Sequence, residues 1–269
     1  MSKVASIARL RDGGTTWALG ALAGDDAALE RLGGALMQRW TPGDRLVVLG
    51  NMLGAAGNTP RTIDLMLLLR RRLLARPGAE VEDFVFLRGA QEEIWHKVLQ
   101  LQFALSPLDV LDWMLARGLA AVIEAYGYSI AEGRIACRNG PLAIARWTTG
   151  LRERQTHQPG HGDLLNALSR AALSADGRVV FAANGVDPGR PLGEQADAFW
   201  WNAQTDTQLD EALGKATDGG WPDIVRVVRG SGPSRNAARD EGRILTVTRE
   251  TPAAVAIDAD GAVIDRMEP

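Results

Sequence analysis

The stretch Pro42-Gly43-Asp44-Arg45-Leu46-Val47-Val48-Leu49-Gly50-Asn51-Met52-Leu53-Gly54-Ala55-Ala56-Gly57-Asn58 passes from a turn through an apolar run into a glycine-rich loop. Pro42-Gly43-Asp44 is turn chemistry. Arg45 to Leu49 is the continuous apolar run expected of a strand buried on both faces, and such strands belong to parallel sheets. After the loop, Thr59 can cap a helix with Pro60 at its first position. Ile63 to Leu74 carries enough leucine to be largely buried, with Arg70, Arg71 and Arg72 on the solvated side.

The same strand, loop, helix order recurs on either side. Thr16 to Gly20 is short and apolar, and Asp25 and Asp26 precede Leu29, Leu32, Leu36 and Trp40 at helical spacing. Phe84 to Leu87 is a third strand, followed by a helix with Ile94, Trp95, Val98, Leu99 and Gln102 on one face. Ser106, Pro107 and Asp109 read as a capping-box start for a helix through Leu115. From about Ser129 to Ala175 the pattern weakens around Pro141, Pro159 and Gly160, which marks 129–175 as a helical insertion or cap. Val179 to Ala182 and Ile224 to Val228 are further strands, with Phe199-Trp200-Trp201 between them as core. In the tail, Arg243 to Arg249 and Ala253 to Ile257 alternate, and Asp260-Gly261 signals a hairpin into Ala262 to Asp265. Alternating strands and helices define an α/β chain, read as one domain over 1–269.

The chain has 269 residues, 46% hydrophobic and 23% charged, which is ordinary globular usage and excludes a disordered or fibrous class. A net charge of −3 offers no attraction to nucleic acid or to an anionic membrane surface. Cys137 is the single cysteine, so no intrachain disulfide forms; it reads as a small buried hydrophobe. Residues 1–14 lack an apolar stretch suited to a signal peptide, and no run of about 18 apolar residues exists for a spanning helix. A cytoplasmic protein is expected.

Five loops follow strand candidates: Gly20 to Gly24, Gly50 to Asn58, Leu87 to Glu93, Phe181 to Pro188 and Val228 to Pro233. In open α/β sheets ligands bind at such strand ends. The order and spacing of the five resemble the calcineurin-like metallophosphoesterase superfamily, in its bacterial serine/threonine protein phosphatase branch with motifs GDxHG, GDxxDRG, GNHE, VHAG and GHTP. The match runs over roughly Trp17 to Asp258 and is carried best by Pro42 to Gly50, by Leu87-Arg88-Gly89 with Glu92-Glu93, and by Gly185 to Leu192 with Glu194-Gln195. The resemblance implies a metallophosphoesterase-like αββα sandwich of two mixed β-sheets flanked by helices. It also implies a two-metal centre, in which cations about 3.5–4 Å apart activate water and stabilise phosphoryl charge.

Carried over position by position, the resemblance places the metal ligands on Ala21, Ala23, Asn51, Ala90, Ala183 and Ser231. None keeps the carboxylate, imidazole or amide the family uses there. Its catalytic neighbours fall on Gly54, Ala55 and Gln91. Arg88 remains, and Arg229 could join it in holding an anion. The expectation is a degenerate member, a pseudophosphatase without metal or other cofactor, serving as a regulatory or protein-interaction module whose partner is another protein, or holding a phosphate-containing ligand without cleaving it. The competing reading is a residual or altered phosphoesterase that draws ligands from Asp25, Asp26, Glu92, Glu93, Asp187, His96, His157 and His161. Each has a plainer role: Asp25 and Asp26 as helix caps, Glu92 and Glu93 at a helix N-terminus, Asp187 in a turn, His96 on a helix surface, and His157 and His161 around a Pro-Gly break. A dinucleotide-binding fold is a third class, and the chain lacks a clean G-x-G-x-x-G for it.

Overall fold

The computed structural model describes residues 7–195, 197–217, 219, 221–232, 242–248 and 251–269. Pro233, at the end of the fifth loop, and Arg249, at the end of an expected strand, lie outside the described residues.

In chain order the strands are β1 (Ala8–Arg9), β2 (Thr16–Leu19), β3 (Arg45–Val48), β4 (Phe84–Phe86), β5 (Ala172–Leu173), β6 (Val179–Ala182), β7 (Arg226–Arg229), β8 (Ile244–Thr246), β9 (Ala254–Ile257) and β10 (Val263–Met267). The helices are α1 (Asp26–Arg39), α2 (Thr59–Leu74), α3 (Ala90–Val98), α4 (Pro107–Met114), α5 (Ala120–Ala125), α6 (Ile130–Arg138), α7 (Pro141–Thr156), α8 (His161–Asn166), α9 (Ala198–Trp201) and α10 (Asp206–Lys215). They build two five-stranded sheets, ordered β1-β5-β6-β7-β8 and β10-β9-β2-β3-β4. Both are mixed: β2, β3 and β4 run parallel while β9 is antiparallel to its neighbours β2 and β10, and β6, β7 and β8 run parallel while β5 opposes β6.

Strand alternation explains the layers. Trp17, Leu19, Leu46, Val48, Phe84 and Phe86 point to one side of their sheet and join the helices in one core. Their neighbours Ala18, Val47 and Val85 point the other way and meet Phe181, Val228 and Leu245 of the second sheet. On the far side of that sheet Val180, Ala182 and Val227 pack with Phe199, Leu209 and Leu213 of α9 and α10. Successive residues are buried on opposite faces, so the runs read as continuously apolar, and a one-residue slip would exchange two filled cores. Each fully buried Val, Leu or Phe contributes about 1.5–3 kcal/mol. The result is the expected αββα sandwich.

Residues 129–175 hold α6, α7, α8 and β5. Pro141 starts α7 without breaking it, as proline does at a first helical position. Ile144, Trp147, Leu151, Leu164 and Leu165 enter the same core as β2 to β4. Two capping expectations are corrected. Asn58, not Thr59, caps α2 through its bond from the Arg61 N–H, because the Thr59 hydroxyl is engaged with both backbone groups of Gly54. Ser106 begins α4 without a side-chain cap bond. Of the aromatic trio, Phe199 is buried while Trp200 and Trp201 are only half-buried. Cys137 is also half-buried, and burial raises its thiol pKa.

Between α4 and α5 the helical path is kinked within Leu115–Leu119, where Arg117 has φ −102°, ψ 18° and Gly118 is left-handed at φ 97°. Among the described residues no helix is long and apolar enough to cross a membrane.

Candidate functional site

The loops after β2, β3, β4, β6 and β7 are tied together by their backbones. The Leu22 and Ala23 N–H groups donate to the Asn51 carbonyl at 3.1 and 2.8 Å, and Ala21 N–H donates to Gly230 O at 3.3 Å. Gly230 and Ser231 N–H groups in turn donate to Ala183 O at 3.1 and 3.2 Å. Gly50 sits at φ 75°, and a Cβ there would lie 2.6 Å from Gly89 N, so side chains are excluded where the second and third loops cross. Ala23 and Asn51 both adopt φ 52° without being glycine.

Beneath the crossing lies Glu92, 3% exposed. Its carboxylate accepts hydrogen bonds from the backbone N–H of Asn51 (2.8 Å), Leu53 (3.0 Å) and Gly89 (2.8 Å). Burial raises its pKa, and the three N–H donors oppose that shift. Beyond its place at the helix N-terminus, this carboxylate acts as a clasp on two loops.

Above the clasp the side chains are neutral. Asn51 Oδ1 accepts from Gln91 N–H at 3.1 Å, and Asn51 Nδ2 donates to Ser231 Oγ at 3.5 Å. Ser231 Oγ donates to Asn184 Oδ1 at 2.9 Å, and Asn184 Nδ2 to the Asn202 carbonyl at 3.1 Å. Ala183 is fully buried, Ala21 is buried, Ala90 opens α3, and Ala23 and Ala55 are exposed. Gly54 is fixed by Thr59. Gln91 Nε2 donates to the Arg117 carbonyl at 2.8 Å, while its Oε1 is buried with no partner among the described residues. The Arg117 guanidinium lies 4.1 Å from the Trp113 ring centre, and Trp113 meets Trp201 edge-on at 6.0 Å.

The two arginines part company. Arg88, 17% exposed, pairs with Glu93 at 3.2 Å. Arg229, 1% exposed, donates from Nε to Thr246 Oγ1 at 2.8 Å and from Nη1 to Gln204 O at 2.9 Å, and Nη2 pairs with Asp206. Burial lowers its pKa and Asp206 opposes the shift. Its guanidinium is consumed as a strut between β7 and α10, which leaves it no hand for an outside anion.

The alternative ligands are scattered. Asp25 caps α1 and Asp26 pairs with Arg61 at 2.9 Å. Asp187 holds Arg190 and the Gly189 N–H in a turn. His96 bonds Gln100, and burial lowers its pKa. His157 caps the C-terminus of α7. His161 is buried between Tyr126, whose phenol pKa is raised by burial, and Asp64. Among the described residues no three His, Cys, Asp or Glu side chains converge on one point that could hold a metal ion.

A two-metal centre does not suit this donor set. Asn51, Ser231 and Asn184 carry no charge to offset two divalent cations, and each is already hydrogen-bonded to another of the three or to Gln91 or Asn202. Glu92 is the nearest carboxylate in the loops and is held under the backbone by three N–H groups. Sequence reasoning missed that clasp, Asn184 as a member of the network, and Asn202, for which no local signal exists.

No protein-family model matches the chain, and no curated protein matches it by sequence. Solved structures do. A candidate diadenosine tetraphosphatase superposes with a TM-score of 0.55 at 16% identity over 98% of both chains. A protein serine/threonine phosphatase from Saccharomyces cerevisiae gives 0.53 at 9% identity, covering 98% of this chain and 84% of the other. The cold-active protein tyrosine phosphatase of a Shewanella species gives 0.51 at 12% identity, covering 100% and 84%. The chain therefore has the metallophosphoesterase-like phosphatase fold: two mixed sheets flanked by helices.

Proposed function

We propose that the protein is a catalytically inactive phosphatase-fold protein that works as a regulatory or protein-interaction module. The observation that carries this reading is the Asn51, Ser231, Asn184 chain, a closed run of neutral groups where phosphoryl transfer by a two-metal route needs anionic ligands. Function resides in sites and not in folds, so the phosphatase fold by itself supports no activity. Arg88 is the cation that remains, and it supports retention of a phosphate-containing ligand without hydrolysis.

Metal analysis of the purified protein with an aryl phosphate assay tests the reading. The expected result is substoichiometric manganese, iron and zinc and no turnover above background. Stoichiometric metal with hydrolysis would sink it and favour an altered hydrolase. Titration calorimetry with ATP and with a phosphoserine peptide tests the ligand: binding that Arg88→Ala weakens supports it, and no heat with either removes it.

A further inference from the structure

Glycine follows asparagine twice in the chain, at Asn139-Gly140 and at Asn184-Gly185. The main-chain nitrogen after an asparagine can attack that asparagine's own side-chain amide, and a following glycine puts no Cβ in the way. The structure treats the two pairs differently. Asn184 is half-buried and its amide is held at both ends: Oδ1 accepts from Ser231 Oγ at 2.9 Å, and Nδ2 donates to the Asn202 carbonyl at 3.1 Å. Gly185 is buried, and a Cβ there would lie 3.0 Å from Asn202. Asn139 is exposed in the turn between α6 and α7, and its side chain has no hydrogen-bond partner among the described residues. Its backbone N–H closes α6 on the carbonyls of Ile135 and Ala136, both at 3.1 Å. The Gly140 N–H has no acceptor among the described residues, and Gly140 turns at φ 92°.

We propose that Asn139-Gly140 is a self-modifying site, at which the folded chain converts an amide into a carboxylate without an enzyme. Water or hydroxide takes the Gly140 amide proton, and the nitrogen attacks Asn139 Cγ. The new N–C bond closes a succinimide ring, and the side-chain nitrogen leaves as ammonia with a proton from solvent. Water then adds to either ring carbonyl and opens it, one route giving aspartate and the other isoaspartate, in which the main chain runs through Cγ. Asn139 sits at ψ 0°, so the last turn of α6 opens for the nitrogen to reach Cγ, and helix ends open at little cost. At Asn184 the same movement breaks two side-chain hydrogen bonds. Either product sets a carboxylate just ahead of the N-terminus of α7, which favours negative charge. Isoaspartate also lengthens the connection between helices that meet closely, since a Cβ at Gly133 would lie 2.5 Å from Trp147 Cζ2.

Peptide mapping by mass spectrometry tests this on the full chain incubated near neutral pH, beside the same chain in guanidinium chloride, until the denatured sample has lost both amides. In the folded chain Asn139 is expected to convert at least about tenfold faster than Asn184, a barrier difference of roughly 1.4 kcal/mol, with aspartate and isoaspartate both formed. In denaturant the two rates are expected to converge. The folded-state rate at Asn139 is expected to rise with pH, because the attacking nitrogen must lose its proton. Asn139→Gln, whose longer side chain would have to close a larger ring, is expected to remove the product. The proposal is overturned if Asn139 keeps its amide in the folded chain, or if Asn184 converts there as fast as Asn139. Aspartate formed without isoaspartate, at a rate indifferent to pH, would mean direct hydrolysis and overturn it as well.

Discussion

The clasp beneath the five loops and the side chains above them are built on opposite principles. Below, one buried carboxylate gathers three backbone N–H groups from two loops. Above, amides and a hydroxyl bond one another with no formal charge. The contrast teaches that the loop frame is held from underneath by its own groups, so the crossing does not need a cation between the strand ends to keep its shape.

Glu92→Ala is the severest test of that contrast. It strands three buried donors, each worth about 1–3 kcal/mol when unmet, and urea unfolding is expected to show a loss of about 4 kcal/mol. Ser231→Ala, in the upper network, removes two neutral hydrogen bonds, one of them long at 3.5 Å, and is expected to cost about 1–2 kcal/mol. Equal losses would erase the distinction. The arginine pair gives a second, smaller separation. Arg229→Met removes a fully buried guanidinium and leaves Asp206, 14% exposed, with the Thr246 hydroxyl alone, and is expected to cost about 3 kcal/mol, whereas after Arg88→Met Glu93 keeps Lys97 at 3.6 Å and the loss is expected to be smaller, about 1–2 kcal/mol.

Strain inside the frame supplies a gain. Ala23 holds a left-handed conformation that costs an alanine roughly 1–2 kcal/mol, so Ala23→Gly is expected to raise the thermal midpoint, with about 1 kcal/mol of stabilisation after the entropy of glycine is counted. The smallest effect concerns pH. His96 has its folded pKa lowered by burial, so the unfolded chain binds more protons below pH about 6.5 and stability rises with pH up to that value. His96→Gln is expected to flatten that rise in a urea series across this window. An unchanged slope would assign the proton uptake to another group.

The strands β2, β3, β4 and β6 were legible because both of their faces are buried, and burial on both faces writes itself as an unbroken apolar run. β1 and β5 were not, since each has two residues and is defined by its pairing, β1 with β5 and β5 also with β6. At Asn58-Thr59 two residues are competent caps, and only the distant Gly54 backbone decides between them. Ala21, Ala23, Asn51, Ala90, Ala183 and Ser231 were singled out only by resemblance to the family motifs. The hydrogen bonds around them were not legible: Ser231 meets Asn184 across 47 residues, and the carboxylate of Glu92 finds its furthest N–H 41 residues back. The fate of Arg229 was equally hidden, because Asp206 and Thr246 reach it from separate elements.

The kink at Arg117 and Gly118 gives the molecule a candidate reporter. By leaving the regular helical path it presents the Arg117 carbonyl to Gln91 Nε2, and the Gln91 N–H is itself bonded to Asn51. Two hydrogen bonds therefore separate the Asn51 loop from Arg117, whose guanidinium lies on Trp113, 41% exposed. A quencher of exposed tryptophan, with Trp113→Phe as the control, therefore tests whether a shift of Gln91 reaches this surface indole.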